Sequence, residues 1–233
     1  MKRKKILFLA ATHGNEGFTI PILKKLTDQK NLSRFDWKIS NPEALEKNKR
    51  FIDADLNRVA PGNKDSFKYE IRRAYELMQV FKKYDYVIDI HGTPAKTGIF
   101  TIVTNPKKEN LLLSTLLPFQ NIVIWSPKNL KKPGPLTQFV DCGVEIECGS
   151  KNSVENQNKL YSSLKDFLKK DLSQDQKTFF RVYGKLLKKD YEDKEGKFKE
   201  FEEVNIKGEK FFALLVNRYV DITCYKMEKI NIN

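Results

Sequence analysis

Five short apolar runs, each about the length of a strand, recur along the first two thirds of the chain. They constrain its fold more than any other feature. They cover residues 5–11 (KILFLAA), 84–90 (YDYVIDI), 98–104 (GIFTIVT), 121–125 (NIVIW) and 143–147 (GVEIE). Runs that are nearly continuous rather than alternating belong to strands covered on both faces. Helical spacing appears between them. Phe67, Ile71, Ala74, Met78 and Phe81 follow a cap at Asp65 or Ser66, and Leu160, Leu164 and Leu168 mark a helix over 153–171. Phe18, Ile22 and Leu26 mark another. Pro21 fits only a first turn, so that helix is expected to start near Thr19. Strands alternating with helices mean an α/β fold with a mostly parallel sheet flanked by helices. Near residue 175 the pattern changes to β-rich stretches (FFRVYGKLL, FKEFEEVNI, KFFALLVNRYVDITCYKM) divided by charged turns. The expected organisation is an α/β domain over 1–174 and a small β module over 175–233.

Composition narrows the function classes. The net charge of +13 is carried by scattered basic residues, with 31% charged residues of both signs. No aromatic-interleaved basic stripe accompanies it, so a nucleic-acid partner is not expected. The start, MKRKKILFLAA, imitates a signal peptide, but its apolar run is shorter than the usual ~7–15 residues and reads better as a buried strand. No run approaches the ~20 apolar residues that span a bilayer, so no membrane partner is expected. Cys142, Cys148 and Cys224 are odd in number and lack CxxC spacing. They read as reduced thiols of a cytoplasmic protein.

The chain has only two histidines, and each follows a predicted strand. His13 and Glu16 follow the first run, His91 ends the second, and Glu147 ends the fifth. In open α/β sheets ligands bind beyond the carboxyl ends of strands. Two histidines, one carboxylate and a water form a known catalytic zinc arrangement. His13, Glu16 and His91 can supply it, although a structural histidine held by hydrogen bonds is the other reading at each position. Asp89, two residues before His91, can orient that ring from behind. In RFIDADLNR, Arg50, Asn57 and Arg58 stand beside Asp53 and Asp55. Such donors bind carboxylates or an oxyanion, or simply face solvent.

HGNE, RFIDADLNR, DIHGT and VEIECG, in this order and spacing, resemble the aspartoacylase/succinylglutamate desuccinylase family, a branch of the zinc carboxypeptidase-like fold. FKEFEEVNIKGEKFFAL resembles that family's C-terminal β module. The resemblance implies one zinc per chain, held by His13, Glu16 and His91. It implies that Glu147 is the general base and acid and that Arg50 polarises the scissile carbonyl. Asn57 and Arg58 would hold a substrate carboxylate, and Tyr225 would contact substrate. The implied reaction is deacylation of a small anionic N-acyl amino acid. Carboxypeptidase action on short peptides, or a non-catalytic basic binding protein on the same fold, are the alternatives. Glu145 lies on the same strand face as Glu147 by alternation and reads as a charged neighbour or a supporting group. One position departs from the family. Where aspartoacylase has an arginine that reads a side-chain carboxylate, this chain has PLTQF around Thr137. Lys131 and Lys132 are near in sequence but read as a solvated loop.

Overall fold

Each of the five apolar runs is a strand in the computed structural model, which describes residues 4–32, 35–169 and 176–232. The strands are β1 (Ile6–Ala10), β2 (Phe35–Ile39), β3 (Tyr86–Thr93), β4 (Ile99–Val103), β5 (Asn121–Ile124), β6 (Gly143–Gly149), β7 (Thr178–Leu187), β8 (Glu203–Ile206), β9 (Glu209–Leu214) and β10 (Ile222–Ile230). They form one ten-stranded sheet in the order β2-β1-β3-β6-β4-β5-β7-β10-β9-β8. The first four in that order are parallel. β4 runs against β6, and β5 and β7 run with β4. The last three pairings are antiparallel.

Alternation along β1 shows why its sequence is apolar throughout. Ile6, Phe8 and Ala10 pack in one core with Leu23 and Leu26 of α1 (Thr19–Thr27), Leu113 of α4 (Lys108–Leu116) and Leu160 and Leu164 of α5 (Val154–Lys169). Leu7 and Leu9 pack on the opposite face with Ala74, Leu77 and Phe81 of α3 (Tyr69–Phe81). On β3, Ile88 and Ile90 join the first core. Asp89 and His91 therefore face the other way. Glu145 and Glu147 of β6 do the same, pairing with Asp89 and His91 in register. Four polar side chains thus share one face of two central strands.

Three boundaries differ from the sequence expectation. β3 and β6 continue past His91 and Glu147 to Thr93 and Gly149, so both residues lie within strands. α3 begins at Tyr69, and Phe67 lies before it, fully exposed. Neither Asp65 nor Ser66 caps it. Asp53 does so from a distant loop, its Oδ2 accepting from the Tyr69 N–H at 2.8 Å. α1 and α5 begin where expected, at Thr19 and Val154; residues 170–171 of the expected second helix lie outside the described residues. β2, α4 and the short α2 (Pro42–Glu46) carry no clear periodicity in the sequence. Strands on either side of the division expected between 174 and 175 share one sheet, because β7 pairs with β5 from Asn121↔Thr178 to Ile124↔Arg181. Among the described residues no helix is long and apolar enough to cross a membrane.

Candidate active site

The chain leaves β1 through Ala11, which is buried with φ of 52°. That left-handed conformation costs an alanine about 1 kcal/mol, and it turns His13 back over the sheet. Gly14 follows in a 3-10 turn, Gly14–Glu16. A Cβ at Gly14 would come within 2.1 Å of the Ala44 backbone, so only glycine fits between the two neighbouring polar side chains.

The turn brings His13, Glu16 and His91 together. His13 Nδ1 lies 3.1 Å from Glu16 Oε1, and His91 Nδ1 lies 3.3 Å from Glu16 Oε2. The two Nδ1 atoms are 3.3 Å apart. Each ring is held from behind by a carboxylate. His13 Nε2 is 3.1 Å from Asp55 Oδ1, and His91 Nε2 is 3.0 Å from Asp89 Oδ2. Thr12 in turn donates to Asp89 Oδ1 at 2.7 Å. A carboxylate only accepts, so each Nε2 donates to the carboxylate behind it; each Nδ1 donates to Glu16 in the charged ring and, on losing that proton, would turn a lone pair inward. Two lone pairs and a carboxylate facing one point fit a cation. All three ligating atoms lie within 4.8 Å of one another.

The charges respond to this crowding. Burial alone would raise the Glu16 pKa, but hydrogen bonds from His13 and His91 hold it well below the usual carboxylate range. Burial opposes charge on His13 and His91 as well, yet their carboxylate partners outweigh it and both are raised. Among the described residues no such bond reaches Glu147. Burial pushes it up to about 7; the Glu16 and Glu145 charges add to the shift, and His91 and His13 oppose it.

The RFIDADLNR loop supplies the second wall, and two of its supports escaped the sequence reading. Asp55 receives Arg50 Nε and Nη2 on Oδ2 at 3.2 and 2.9 Å while its Oδ1 holds His13. Glu70, on α3 and fully buried, accepts the N–H groups of Ile52, Asp53 and Ala54 at 2.6, 2.9 and 3.0 Å. A single carboxylate therefore fixes three consecutive loop amides. The Asp55 role was signalled by its place in the motif. Nothing local signals that of Glu70.

Asn57 and Arg58 are placed differently from each other. Asn57 is buried; its Nδ2 donates to Glu145 Oε1 at 3.0 Å, and its Oδ1 accepts from the Leu136 N–H at 3.1 Å. Arg58 is exposed, with Nη1 donating to the Asn57 carbonyl at 2.6 Å. Both line a cavity of about 420 Å³, together with His13, Glu16, Arg50, His91, Glu145, Glu147 and Tyr225. Every side chain singled out as a site residue therefore meets in one hollow. Trp125, Arg218 and Tyr219 line it too. Trp125 ends the NIVIW run and follows the same strand-end rule. Arg218 and Tyr219 sit in a loop without a local signature. Thr137 is buried and hydrogen-bonds to Thr104 and to Glu145 Oε1 at 2.9 and 3.3 Å. Lys131 and Lys132 are exposed and do not line the cavity. A larger hollow, about 520 Å³ beside α3, shares none of these residues.

The mixed α/β sheet thus carries an inward-facing His-Glu-His group that could hold a metal ion, with Glu147 lining the same cavity. Comparisons with known proteins add the family. The model of the succinylglutamate desuccinylase/aspartoacylase catalytic domain matches residues 2–160, and the chain belongs to that family. A probable aspartoacylase of Prochlorococcus marinus is 34% identical over 163 residues, 64% of this chain and 55% of the relative. Mouse aspartoacylase is 32% identical over 126 residues, 47% of this chain and 40% of that protein. The chain thus spans about half the length of the curated relatives it matches. Murine aminoacylase 3 shares the fold with a TM-score of 0.76 at 18% identity, covering 100% of this chain and 97% of the other. The succinylglutamate desuccinylase of Chromobacterium violaceum gives 0.71 at 16% identity, covering 99% and 86%.

Proposed function

We propose that this protein is a zinc-dependent amidohydrolase that removes the acyl group from a carboxylate-bearing N-acyl amino acid. The observation that carries this reading is the convergence of three ligand-type side chains, Glu147 and exposed guanidinium groups, that of Arg58 among them, on a single small cavity. His13 and His91 through Nδ1, with the Glu16 carboxylate, would hold the ion. A zinc ion bound there supplies Lewis-acid activation of water and of the amide carbonyl. Family membership supports the class of reaction.

The chain's own residues divide the remaining work. Glu147 takes the proton of the attacking water and returns it to the leaving nitrogen; a raised pKa suits a group that must do both near neutral pH. Arg50 is anchored on Asp55 through Nε and Nη2, and its Nη1, 3.9 Å from Glu16 Oε1, is turned towards the ligand group, where it would meet the carbonyl oxygen as charge develops. Arg58 binds the substrate carboxylate, since its guanidinium is exposed to the cavity and only one of its nitrogens serves the backbone. Asn57 supports the wall through Glu145 and Leu136 and leaves direct contact with the carboxylate to Arg58. Three buried free thiols accord with a cytoplasmic setting.

A hydrolysis screen of zinc-loaded protein over N-acyl amino acids, their carboxamides and short peptides tests the reading. Turnover of the free acids, lost with the carboxamides, is expected. Turnover of peptides alone would move the assignment to a carboxypeptidase, and no turnover with zinc bound would favour a binding protein.

A further inference from the structure

Besides the two arginines of RFIDADLNR, a third guanidinium reaches the cavity, from the loop between β9 and β10. Leu215, Arg218 and Tyr219 of that loop all line it. Ring contacts tie the loop to the wall. The Tyr219 ring lies 5.8 Å from that of Tyr225, and the Arg218 guanidinium lies 5.7 Å from the Tyr219 ring. The backbone of the loop is unusual. Leu215 has φ of 54° and Asn217 has φ of 52°, in the left-handed region that bulky side chains rarely adopt. Such backbone persists only where its surroundings hold it.

The two amides at the start of the loop are held by one carboxylate. Glu200 Oε2 accepts from the Leu215 N–H at 2.7 Å, and Oε1 accepts from the Val216 N–H at 2.8 Å. Both oxygens thus serve consecutive amides, and among the described residues no cationic side chain pairs with Glu200. The next residue, Phe201, is itself left-handed, with φ of 63°, and donates its N–H to the Ala213 carbonyl at 2.9 Å. That contact brings Glu200 alongside the end of β9. Beyond Val216 the Asn217 N–H reaches the Thr223 carbonyl at 2.7 Å. Without the carboxylate, the strained backbone would relax and carry Arg218 and Tyr219 off the wall. We propose that Glu200 is a positioning residue for substrate binding, acting through Leu215 and Val216 to keep Arg218 and Tyr219 facing the cavity. The consequence for substrate rests on the deacylase reading; the clamp itself does not.

Glu200→Gln in the zinc-loaded protein tests it. The amide keeps the shape, but one acceptor becomes a donor facing a backbone N–H. Amide hydrogen exchange over 215–221 should speed up about tenfold or more, while exchange around His13 and His91 stays as it is. KM for N-acetyl amino acids should rise about tenfold, with kcat within a few fold and zinc content unchanged. Glu200→Asp keeps both acceptors on a shorter arm and should fall in between; it replaces the first variant if that one does not fold. In a chain that also carries Arg218→Ala and Tyr219→Ala, Glu200→Gln should add little to KM, because the residues it acts through are gone. Unchanged exchange over 215–221, loss of kcat or zinc at unchanged KM, or the same rise in KM with and without Arg218 and Tyr219 would overturn the proposal. Faster exchange confined to the loop, in a protein that hydrolyses no N-acetyl amino acid, would uphold the clamp and reject the deacylase reading.

Discussion

The two walls of the cavity are built to different standards. On the motif side, His13, Glu16 and His91 are 3–5% exposed. Nearly every polar atom there is fixed by a named partner, and the partners are themselves held by Thr12, Arg50 and Gly92. On the far side, Trp125, Tyr219 and Tyr225 are held mainly by ring contacts, and Tyr219 is 42% exposed. Holding a cation and a proton acceptor in position tolerates errors of only a few tenths of an ångström, whereas an apolar wall needs shape and area. If the proposed roles hold, chemistry and selectivity are separable here, and substitutions should sort by wall.

The largest separation is expected at His91. His91→Ala removes one of three ligand-type side chains and should abolish stoichiometric zinc in metal analysis; unchanged zinc would show that the motif wall does not hold the ion. Glu147→Gln should keep zinc and lose about 10²–10⁴ in kcat. Its pH dependence carries a sign. The base form is needed, and burial raises the Glu147 pKa to about 7. Activity should thus fall as pH drops below neutrality, at a higher pH than for an ordinary carboxylate. An acid limb no higher than that of an ordinary carboxylate would count against Glu147 as its source.

Asp55→Asn should cost about 10–100-fold in zinc affinity, because it weakens the bond that orients His13. Asp55 is also held below its ordinary pKa of 3.8; burial alone would raise it, and His13 and Arg50 outweigh that. Its stabilising contribution is full above that value and is lost progressively below it, as pH falls towards the lower folded value, so the variant should show a shallower acid unfolding transition. Arg58→Ala should raise KM for free-acid substrates about tenfold, with zinc content unchanged. The smallest effect belongs to the far wall. Trp125→Leu keeps an apolar side chain and should leave zinc stoichiometry and pH profile untouched while changing KM a few fold. Loss of metal in that variant would erase the distinction between the walls.

What the sequence disclosed follows the same line. β1, β3, β4, β5 and β6 were legible because strands covered on both faces must be apolar at every position. His13, Glu16, His91 and Glu147 were legible because they lie within a few residues of the carboxyl ends of those runs. β2 was not. It is an edge strand, and Phe35–Ile39 mixes Asp36 and Lys38 with its apolar residues. The helix start at Tyr69 was missed because its cap, Asp53, lies sixteen residues upstream. The clamp by Glu70 and the meeting of Arg218 with Trp125 arise only when distant segments pack, so no local spacing announces them.

The parallel pairing of β5 with β7 has a further consequence. β3 and β6, which carry His91 and Glu147, connect through β4, β5 and β7 to β10, which carries Tyr225. The candidate reacting groups and the proposed substrate-facing wall hang on one hydrogen-bonded ladder. Melting of that ladder should be a single cooperative event in which binding and catalysis vanish together. A substitution that loosens Ile122 against Phe179, far from any reacting atom, would then act on selectivity and turnover alike, through the stability of the whole sheet.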